Sequence, residues 1–384
     1  MKTPHSYPKR ILLAVSGMSP QIVTETLYAL AVNNSEAAFI PTEIHLISTN
    51  AGKTEADLRL LHSKTGQFHQ LCKDYNLQNI TFSADNIYVI TDKNGVLLDD
   101  IKTPEENEAA ADFITQKVNE LTRDDNSALH ISIAGGRKTM GYYLGYALSL
   151  YGRAQDRLSH VLVTDRYESL RDFFYPTPYS YVVYDRDNKA LDAQAAVVML
   201  ANIPFVRLRT GLPESLLQGT VSFNDSIRFA RTVEAEPLLE IDLKNACLTA
   251  NSIAVPLSPI NFAFYLWMIQ ETVFKGNVIN RSPSANVDYA NRFLVLYKKY
   301  SHELRDIETT INRLTEKNPN NNNEIGMDSK WMNERMTAIK KTFEKALGEN
   351  GARPFLINSP RKNNHKTYAL TLTKQQVIGF SSVD

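Results

Sequence analysis

The chain has 384 residues, which predicts two or three domains because domains usually run to about 100–200 residues. Its 42 lysines and arginines balance its 42 aspartates and glutamates, so the composition excludes a protein that is a polycation or a polyanion throughout. Two cysteines are too few for a disulfide framework or a cysteine-rich zinc site, and the lack of a long apolar segment predicts a cytoplasmic protein that does not span a membrane.

The first half of the chain alternates strand patterns with helix patterns. Short apolar runs, typical of strands buried on both faces, occupy residues 11–15, 43–49, 87–90, 129–133 and 160–164. Helices are predicted after them, the first capped by Ser19 with Pro20 in its first turn, and the others at residues 54–75, 104–121 and 139–151. Repeated strand–helix units at this spacing predict an α/β fold with a doubly wound parallel sheet in the strand order 3-2-1-4-5.

The middle of the chain carries a weaker pattern. Strands are predicted at residues 179–184 and within residues 197–209, and a helix at residues 224–236. We interpret this segment as an extension of the sheet followed by a connector. The predicted organisation is a ligand-binding domain at residues 1–185, a connector at 186–236 and a further domain at 237–384.

The last third has a different pattern. A small hairpin is predicted from residues 239–243 and 253–257, and a strongly apolar helix begins at Ser258 and Pro259. Further helices are predicted at residues 287–300 and 331–347, and strands at 355–357 and 367–372. Helices followed by a two-stranded hairpin are typical of a winged helix-turn-helix. The polar run of residues 320–323, inside an insertion at residues 301–330, predicts a mobile loop.

The loop between the last two strands is the predicted wing, and its basic residues Arg361, Lys362 and Lys366 are candidate nucleic-acid contacts. From residue 330 to the end of the chain there are ten basic and four acidic side chains, a net charge of +6 in a neutral protein. Such a cluster is the electrostatic footprint of nucleic-acid contact. A solvated helix face, or a winged helix that serves as a dimer or protein module, accounts for the same charges.

The strongest motif lies between the fourth predicted strand and its helix, where Gly135 and Gly136 precede Arg137, Lys138 and Thr139. Paired glycines let a ligand approach the backbone, and a helix N-terminus offers free N–H groups and a positive dipole end. The combination predicts a phosphate site, although the spacing is neither a Walker loop nor a dinucleotide fingerprint. The alternative is a tight turn with an exposed Arg–Lys pair.

A second glycine loop follows the first strand and contains Ser16, Gly17, Met18 and Gln21, with Thr24 one turn into the helix. Strands one and four are neighbours in the predicted order, so both loops flank the topological switch point, where ligands bind in open α/β sheets. The alternatives are a local turn hydroxyl for Ser16 and a solvent-facing helix position for Thr24.

A third loop follows the second strand and includes Thr49, Asn50 and Lys53. It would reach the same rim, where Asn50 could bond a purine edge and Lys53 a phosphate. The alternative is a loop that ends in a helix N-cap at Thr54. No histidines stand at metal-ligand spacing, so neither a metal nor another cofactor is expected.

Three segments, RILLAVSGMSPQIVTETLYAL, IHLISTNAGK and SIAGGRKTMGYYLGYALSLYG, resemble the CRISPR-associated Rossmann fold (CARF) family over roughly residues 9–185. The resemblance implies a homodimer that binds a cyclic oligoadenylate, the second messenger of type III CRISPR defence, and some members of the family are ring nucleases. It assigns ligand contact after strand one and in the strand-four loop to Ser16 and Lys138. The C-terminal half resembles the winged helix often fused to such domains, although its polar insertion departs from a compact one.

Two functions therefore remain open. In the first, the protein is a metal-independent ring nuclease: each ribose 2′-hydroxyl attacks its neighbouring phosphate, giving linear products with 2′,3′-cyclic phosphate ends. Lys138 would stabilise the transition state and Ser16 would orient the ribose, with cyclic tetra-adenylate the first choice of substrate. In the second, the protein is a non-catalytic sensor whose winged helix controls DNA binding. Both share one set of candidate ligand contacts, namely Gly17, Met18, Gln21, Thr24, Thr49, Asn50, Gly135, Gly136, Arg137 and Thr139.

Overall fold

A computed structural model of the chain describes residues 2–33, 38–168, 170–218, 222–224, 226–227, 229, 235–281, 284–300, 304–317, 325–359, 361–362 and 365–380. The chain divides into two compact units. The N-terminal unit comprises Met1–Arg209 with Leu217–Ser226, and the C-terminal unit comprises Thr210–Leu216 with Ile227–Asp384.

The N-terminal unit is built on a six-stranded sheet. Its strands are β1 (Lys9–Ser16), β2 (Glu43–Ser48), β3 (Ile87–Val89), β4 (Ser127–Ser132), β5 (Arg157–Val163) and β8 (Val198–Asn202). Two further strands, β6 (Val182–Tyr184) and β7 (Ala190–Asp192), form a separate two-stranded sheet. The order of the large sheet is β3-β2-β1-β4-β5-β8, parallel except for the antiparallel edge strand β8. The predicted parallel α/β sheet and its order 3-2-1-4-5 are confirmed. The apolar run of β1 is wholly buried, as a strand covered on both faces must be.

The helices of this unit are α1 (Gln21–Ala31), α2 (Asn50–Ala56), α3 (Gln67–Asp74), α4 (Pro104–Leu121) and α5 (Lys138–Tyr151). Helix α4 has the predicted bounds because Thr103 caps it, accepting a hydrogen bond from the Glu106 N–H, and Pro104 occupies its first turn. The predicted cap of α1 by Ser19 is wrong by one residue. Pro20 holds the N-cap position, and no side chain caps that helix.

The prediction of one helix at residues 54–75 is also wrong. Helix α2 begins earlier because Thr49, not Thr54, is its N-cap, with the hydroxyl accepting a hydrogen bond from the Gly52 N–H at 3.3 Å. The helix then widens into a π-helical turn, Asp57–Leu61, and ends. A new helix starts after Gly66, where a Cβ would lie 2.4 Å from the Leu60 carbonyl oxygen, so only glycine fits this close turn.

Between β8 and the strands of the C-terminal unit, the described residues include the short helix α6 (Glu214–Gln218). The helix predicted at residues 224–236 falls largely outside the described residues, as does the polar run of residues 320–323. No helix within the described residues is long and apolar enough to cross a membrane.

Among its described residues, the C-terminal unit holds four α-helices after α6 and two small sheets. The helices are α7 (Pro259–Met268), α8 (Val287–Tyr300), α9 (Leu304–Thr315) and α10 (Ser329–Ala352). The strands are β9 (Leu239–Asp242), β10 (Cys247–Ala250), β11 (Ile253–Val255), β12 (Ile279–Asn280), β13 (Arg361–Lys362), β14 (His365–Tyr368) and β15 (Val377–Ile378). One sheet has the order β11-β10-β9-β15 and the other β12-β14-β13.

Two sequence predictions fail in this unit. The segments expected to form one hairpin, β9 and β11, both pair with an intervening strand, β10, which the sequence pattern did not reveal. The strand expected at residues 355–357 begins instead in a 3₁₀ turn, Arg353–Phe355, because Pro354 favours a turn and Phe355 is buried in the core. The helices and the β13–β14 hairpin are those that led to the winged-helix interpretation, which stays a prediction.

Aromatic rings fill the centre of this core. Phe264 and Trp267 on α7 pack against each other with tilted rings. Phe264 also packs edge-on against Phe293 of α8 and Trp331 of α10. Helix α7 is buried on every face. A helix with no solvent face lies at the middle of a core, which explains its unbroken apolar sequence.

Candidate functional site

Three loops meet at the carboxyl ends of β1, β2 and β4. A Cβ built on Gly17 would lie 4.0 Å from the Cα of Gly136, and one built on Gly52 would lie 2.7 Å from the Gly17 carbonyl oxygen. A Cβ on Gly135 would lie 2.4 Å from the Val15 carbonyl oxygen. The backbones approach this closely only because no side chain stands between them. The three loops singled out in the sequence thus surround one point of the sheet edge, the switch point between β1 and β4.

A cavity of about 1290 Å³ opens at this point. One wall is formed by the glycine loops, the other by β5, the turn after it and the start of β8. The volume exceeds the roughly 300–1,000 Å³ of ordinary small-molecule pockets. A ligand larger than a mononucleotide therefore has room.

Of the candidate ligand contacts at the end of β1 and the start of α1, some line the cavity and others are buried outside it. Met18, 60% exposed, and Gln21 line the cavity. Ser16 is fully buried outside the cavity lining, and its carbonyl oxygen accepts a hydrogen bond from the Ser48 hydroxyl at 2.7 Å. Thr24 is also fully buried, and its hydroxyl donates to the Gln21 carbonyl oxygen within the helix at 2.8 Å. A ligand in the cavity therefore reaches the loop backbone and Gln21 before it reaches either hydroxyl.

Gln21 joins α1 to the turn after β5. Its side-chain amide donates to the carbonyl oxygens of Arg171 at 2.9 Å and Leu170 at 3.4 Å. The side-chain oxygen is buried and has no hydrogen-bond partner among the described residues. The described residues thus leave one buried acceptor of this side chain unsatisfied.

The loop after β4 contributes Gly135, Gly136 and Arg137 to the cavity wall. Gly136 has a φ of +74°, which only glycine adopts without strain. Arg137 holds the N-cap position of α5 but makes no capping bond, so no side chain caps the first-turn N–H groups. Lys138 and Thr139 follow in this turn, exposed and outside the cavity lining, and the described part of the chain offers Lys138 no hydrogen bond or ion pair.

The Arg137 side chain is paired with a carboxylate. Its Nε lies 3.1 Å from one oxygen of Asp100 and its Nη2 2.5 Å from the other. This forked contact, with the Ile101 backbone N–H, holds the pKa of Asp100 below its usual range. Lys102 lies 3.8 Å from the same carboxylate. An anionic ligand must therefore compete with Asp100 for the guanidinium.

The loop after β2 is split between two cavities. Thr49 and Ala51 line the large one. Asn50, whose amide donates to Asp99 at 2.8 Å, and Lys53 line a separate cavity of about 440 Å³. The structure thus places Thr49 with the other candidate ligand contacts and Asn50 and Lys53 beside them.

Sequence reasoning missed the acidic wall of the large cavity. Glu25 lies one turn after Gln21 on α1 and is only 9% exposed, and Glu168 follows from the turn after β5. Burial, and then the charge of Glu168, raise the pKa of Glu25 to about 8. The spacing of Gln21 and Glu25 by four residues was the available signal, since such residues share a helix face.

The predicted wing lies on the hairpin of the C-terminal unit, where Arg361 stands opposite Lys366 and Lys362 opposite His365. The side chains of these residues lie outside the described residues, so their role in nucleic-acid contact stays a prediction. Within the described residues, no group of three or more His, Cys, Asp or Glu side chains is placed to hold a metal ion.

Comparisons with known proteins bear on the N-terminal unit above all. A family model described as CRISPR-associated protein NE0113 matches residues 19–234. No curated protein matches the chain. Among solved structures, Enterococcus italicus Csm6 bound to cyclic hexa-2′-fluoro-hexa-dAMP is similar, with 15% identity and a TM-score of 0.24. The match covers 40% of this chain and 33% of that one, so it spans only about a third of the length of the Csm6 chain.

Proposed function

The chain belongs to the CRISPR-associated protein NE0113 family, and from that premise we propose that its N-terminal unit binds a cyclic oligoadenylate and cleaves it as a metal-independent ring nuclease. The observation that carries the proposal is the meeting of three glycine-bearing loops around a cavity of about 1290 Å³ at the switch point of the sheet. A ring of phosphates and adenosines needs close backbone approach, anion-binding groups and space together, and this edge of the sheet supplies all three.

The phosphates bind at the start of α5. The uncapped N–H groups of its first turn and the backbone of Gly135 and Gly136, which lines the cavity, favour an anion there. Arg137 adds a bidentate donor once it exchanges Asp100 for a phosphate. Gln21, Met18 and Thr49 lie along the same wall and contact the nucleosides.

A homodimer completes the site in this proposal. One cavity contacts only part of a symmetric ring, whereas a two-fold axis would place two cavities around it. Sedimentation of the pure protein at micromolar concentration, with and without cyclic oligoadenylate, tests this. A protein that stays monomeric in both conditions contradicts it.

Cleavage uses the nucleic acid's own nucleophile. The 2′-hydroxyl oxygen attacks the adjacent phosphorus as the bond from phosphorus to the 5′-oxygen breaks. The hydroxyl proton passes to water, and the leaving 5′-oxygen takes a proton from water. The products carry a 2′,3′-cyclic phosphate and a 5′-hydroxyl. Lys138, exposed in the first turn of α5, stabilises the charge that builds on the phosphorane. Ser16 orients the ribose only after the β1–α1 loop moves, since its side chain is buried.

The test is incubation of pure protein with labelled cyclic tetra-adenylate and cyclic hexa-adenylate in EDTA, followed by chromatography. Linear products with 2′,3′-cyclic phosphate ends support the ring nuclease. Binding without products supports the second candidate below. Failure to bind either ring overturns both.

The second candidate is a non-catalytic sensor that controls DNA binding through the C-terminal unit. The burial of Ser16 and the position of Lys138 outside the cavity wall favour it, since neither proposed catalytic group contacts a bound ring without movement. The net charge of +6 from residue 330 to the end of the chain supplies the surface for DNA. Salt-sensitive binding to the protein's own promoter, with no cleavage of any cyclic oligoadenylate, would establish this function.

A further inference from the structure

The most unusual side chain of the large cavity is Glu25. It is nine-tenths buried, lines the cavity wall, and forms no hydrogen bond or ion pair with any described residue. A buried carboxyl group normally has a cation or several N–H donors to hold it. Glu25 instead faces a space that a ligand can occupy.

The surroundings of Glu25 contain charge of both signs, but none is paired with it. The titratable and charged groups that line the cavity with it from β5 and the following turn are His160, Asp165, Arg166 and Glu168. From the opposite wall come Asp99, Asp100, Lys102 and Arg137, and of these Lys102 and Arg137 are already within 4.0 Å of the Asp100 carboxylate. Strand β8, which also packs on α1, contributes the apolar Met199 to this wall.

The carboxyl group of Glu25 is mostly protonated at neutral pH, because its pKa is raised. Burial is the larger cause of its raised pKa, about 8, and the charge of Glu168 is the smaller. A neutral carboxyl group offers one O–H donor beside one C=O acceptor, whereas a carboxylate offers acceptors alone. The two forms therefore recognise different partners.

Next to it stands the unpartnered side-chain oxygen of Gln21, one helical turn away on the same face of α1. The amide nitrogen of Gln21 is fixed by the carbonyl oxygens of Leu170 and Arg171, so the oxygen cannot rotate away without losing both bonds. The group that this face of α1 presents to the cavity is thus the carboxyl group of Glu25, with one donor and one acceptor when it is protonated.

We propose that Glu25 selects adenine at this site, its O–H donating to N7 of the base while its C=O accepts from the exocyclic amine. Adenine carries an amine donor beside a ring-nitrogen acceptor, which is the complement of a carboxylic acid. At the N7 edge, guanine and hypoxanthine carry a carbonyl oxygen in place of the amine, so the Glu25 C=O would face another acceptor.

This inference rests on the proposed binding of a cyclic oligoadenylate and names the group that reads its base. The experiment compares the whole protein with the Glu25→Gln and Glu25→Ala variants. The ligands are cyclic tetra- and hexa-adenylate and the matching cyclic oligoinosinates, and calorimetry at pH 7 gives the affinity ratio of adenylate to inosinate. Glu25→Gln keeps one donor and one acceptor in nearly the same shape, and its melting temperature checks that it folds.

We expect the affinity for adenylate to exceed that for inosinate by roughly 5- to 150-fold per contacted base, which is the discrimination that one bidentate base contact provides. Glu25→Gln should keep most of this preference and Glu25→Ala should lose it. At pH 9 the unsubstituted protein should lose about tenfold in adenylate affinity relative to Glu25→Gln, because about nine-tenths of a group with a pKa of about 8 is then ionised.

An unchanged ratio in Glu25→Ala, or a ratio in Glu25→Gln as low as in Glu25→Ala, overturns the inference while leaving the binding function intact. A protein that binds neither cyclic tetra- nor hexa-adenylate overturns both. If Glu25→Ala does not fold, the comparison of the unsubstituted protein with Glu25→Gln at pH 9 decides the question. Equal adenylate affinities of these two proteins at pH 9 would then overturn the inference.

Discussion

The guanidinium of Arg137 and the carboxylate of Asp100 form a forked ion pair, with contacts of 3.1 and 2.5 Å, at the mouth of the large cavity. Of the charged residues in the predicted phosphate-binding motif, Arg137 is the one whose charge the described residues already neutralise. If a ligand phosphate binds Arg137 as proposed, it must displace Asp100. The ion pair holds the guanidinium in position, but any anion that enters the cavity must compete with Asp100 for Arg137.

The first prediction is that Asp100→Asn tightens binding of a cyclic oligoadenylate. Removing the carboxylate charge frees Arg137 and deletes a repulsive group from the cavity wall, so we expect about a 3- to 10-fold lower Kd at low salt and a smaller effect at high salt. Asp85→Asn is the control, because it makes the same change of charge on an exposed turn outside the cavity. Equal affinities for the two variants would show that Asp100 does not compete with the ligand.

The second prediction concerns Lys138. Its exposed side chain makes no described contact, so Lys138→Ala should melt within a degree or two of the unsubstituted protein. If Lys138 stabilises the transition state, ring cleavage at saturating substrate should fall about 10- to 100-fold, with a smaller loss of affinity. Lys93→Ala, in an exposed turn away from the cavity, controls for the loss of one positive charge. Cleavage at the unsubstituted rate would remove Lys138 from the catalytic step.

How far the sequence predicts this site depends on the kind of signal. Five apolar runs imply parallel strands buried on both faces, and the known preference for ligands at a switch point then brings the loops with Gly17 and Gly136 together. The contact between them is a consequence of strand order, which local patterns specify well. Asp100, by contrast, lies 37 residues before Arg137 in a segment without periodic pattern, so only the folded chain shows that they meet.

Glu25 escaped notice for another reason. Helix α1 is buried on nearly all sides, with Val23, Thr24, Thr26 and Leu27 enclosed as fully as the residues facing the sheet. A helix of this kind gives no amphipathic stripe from which to tell the cavity face from the core face. Strand β10 was missed because it is only four residues long, too short for a periodic pattern to stand out.

The third prediction is that Gly52→Ala disrupts the junction of the loops. A Cβ there would lie 2.2 Å from the Ser48 hydroxyl oxygen and 2.7 Å from the Gly17 carbonyl oxygen, so backbone must shift. We expect a loss of about 1–3 kcal/mol in the free energy of unfolding, together with weaker ligand binding. Gly145→Ala in the middle of α5 is the matched control. Its Cβ would find its nearest neighbour, Leu158, at 3.7 Å, so this variant should be more stable by about 0.5–1 kcal/mol. Urea unfolding in which both variants shift in the same direction would contradict this account.

The fourth prediction follows from the proton on Glu25. Its pKa is raised by burial and by Glu168 to about 8, above the value of 4.5 for an unhindered glutamate, so the folded state holds a proton that the unfolded state releases. The contribution of this group to stability is therefore fully present below about pH 4.5 and is lost as the pH rises towards 8. Glu25→Gln cannot ionise, so its advantage in unfolding free energy over the unsubstituted protein should grow between pH 5 and pH 8, by roughly 3–4 kcal/mol. Comparing the two proteins at each pH cancels the titration of the other groups, and a constant difference across this range would show that Glu25 ionises normally.

The last prediction separates the two candidate functions through the β13–β14 hairpin. If Arg361, Lys362 and Lys366 contact DNA phosphates, replacing all three by alanine should weaken binding to the promoter and reduce the slope of log K against log salt by about 3. A control with the same loss of charge replaces the exposed lysines Lys330, Lys341 and Lys374. Ring binding and cleavage should be unchanged in both variants, because the candidate ligand contacts all lie in the N-terminal unit. Equal salt slopes for the two triple variants would mean that the hairpin makes no specific phosphate contacts, and the basic surface would then be a solvated face rather than a DNA-binding one.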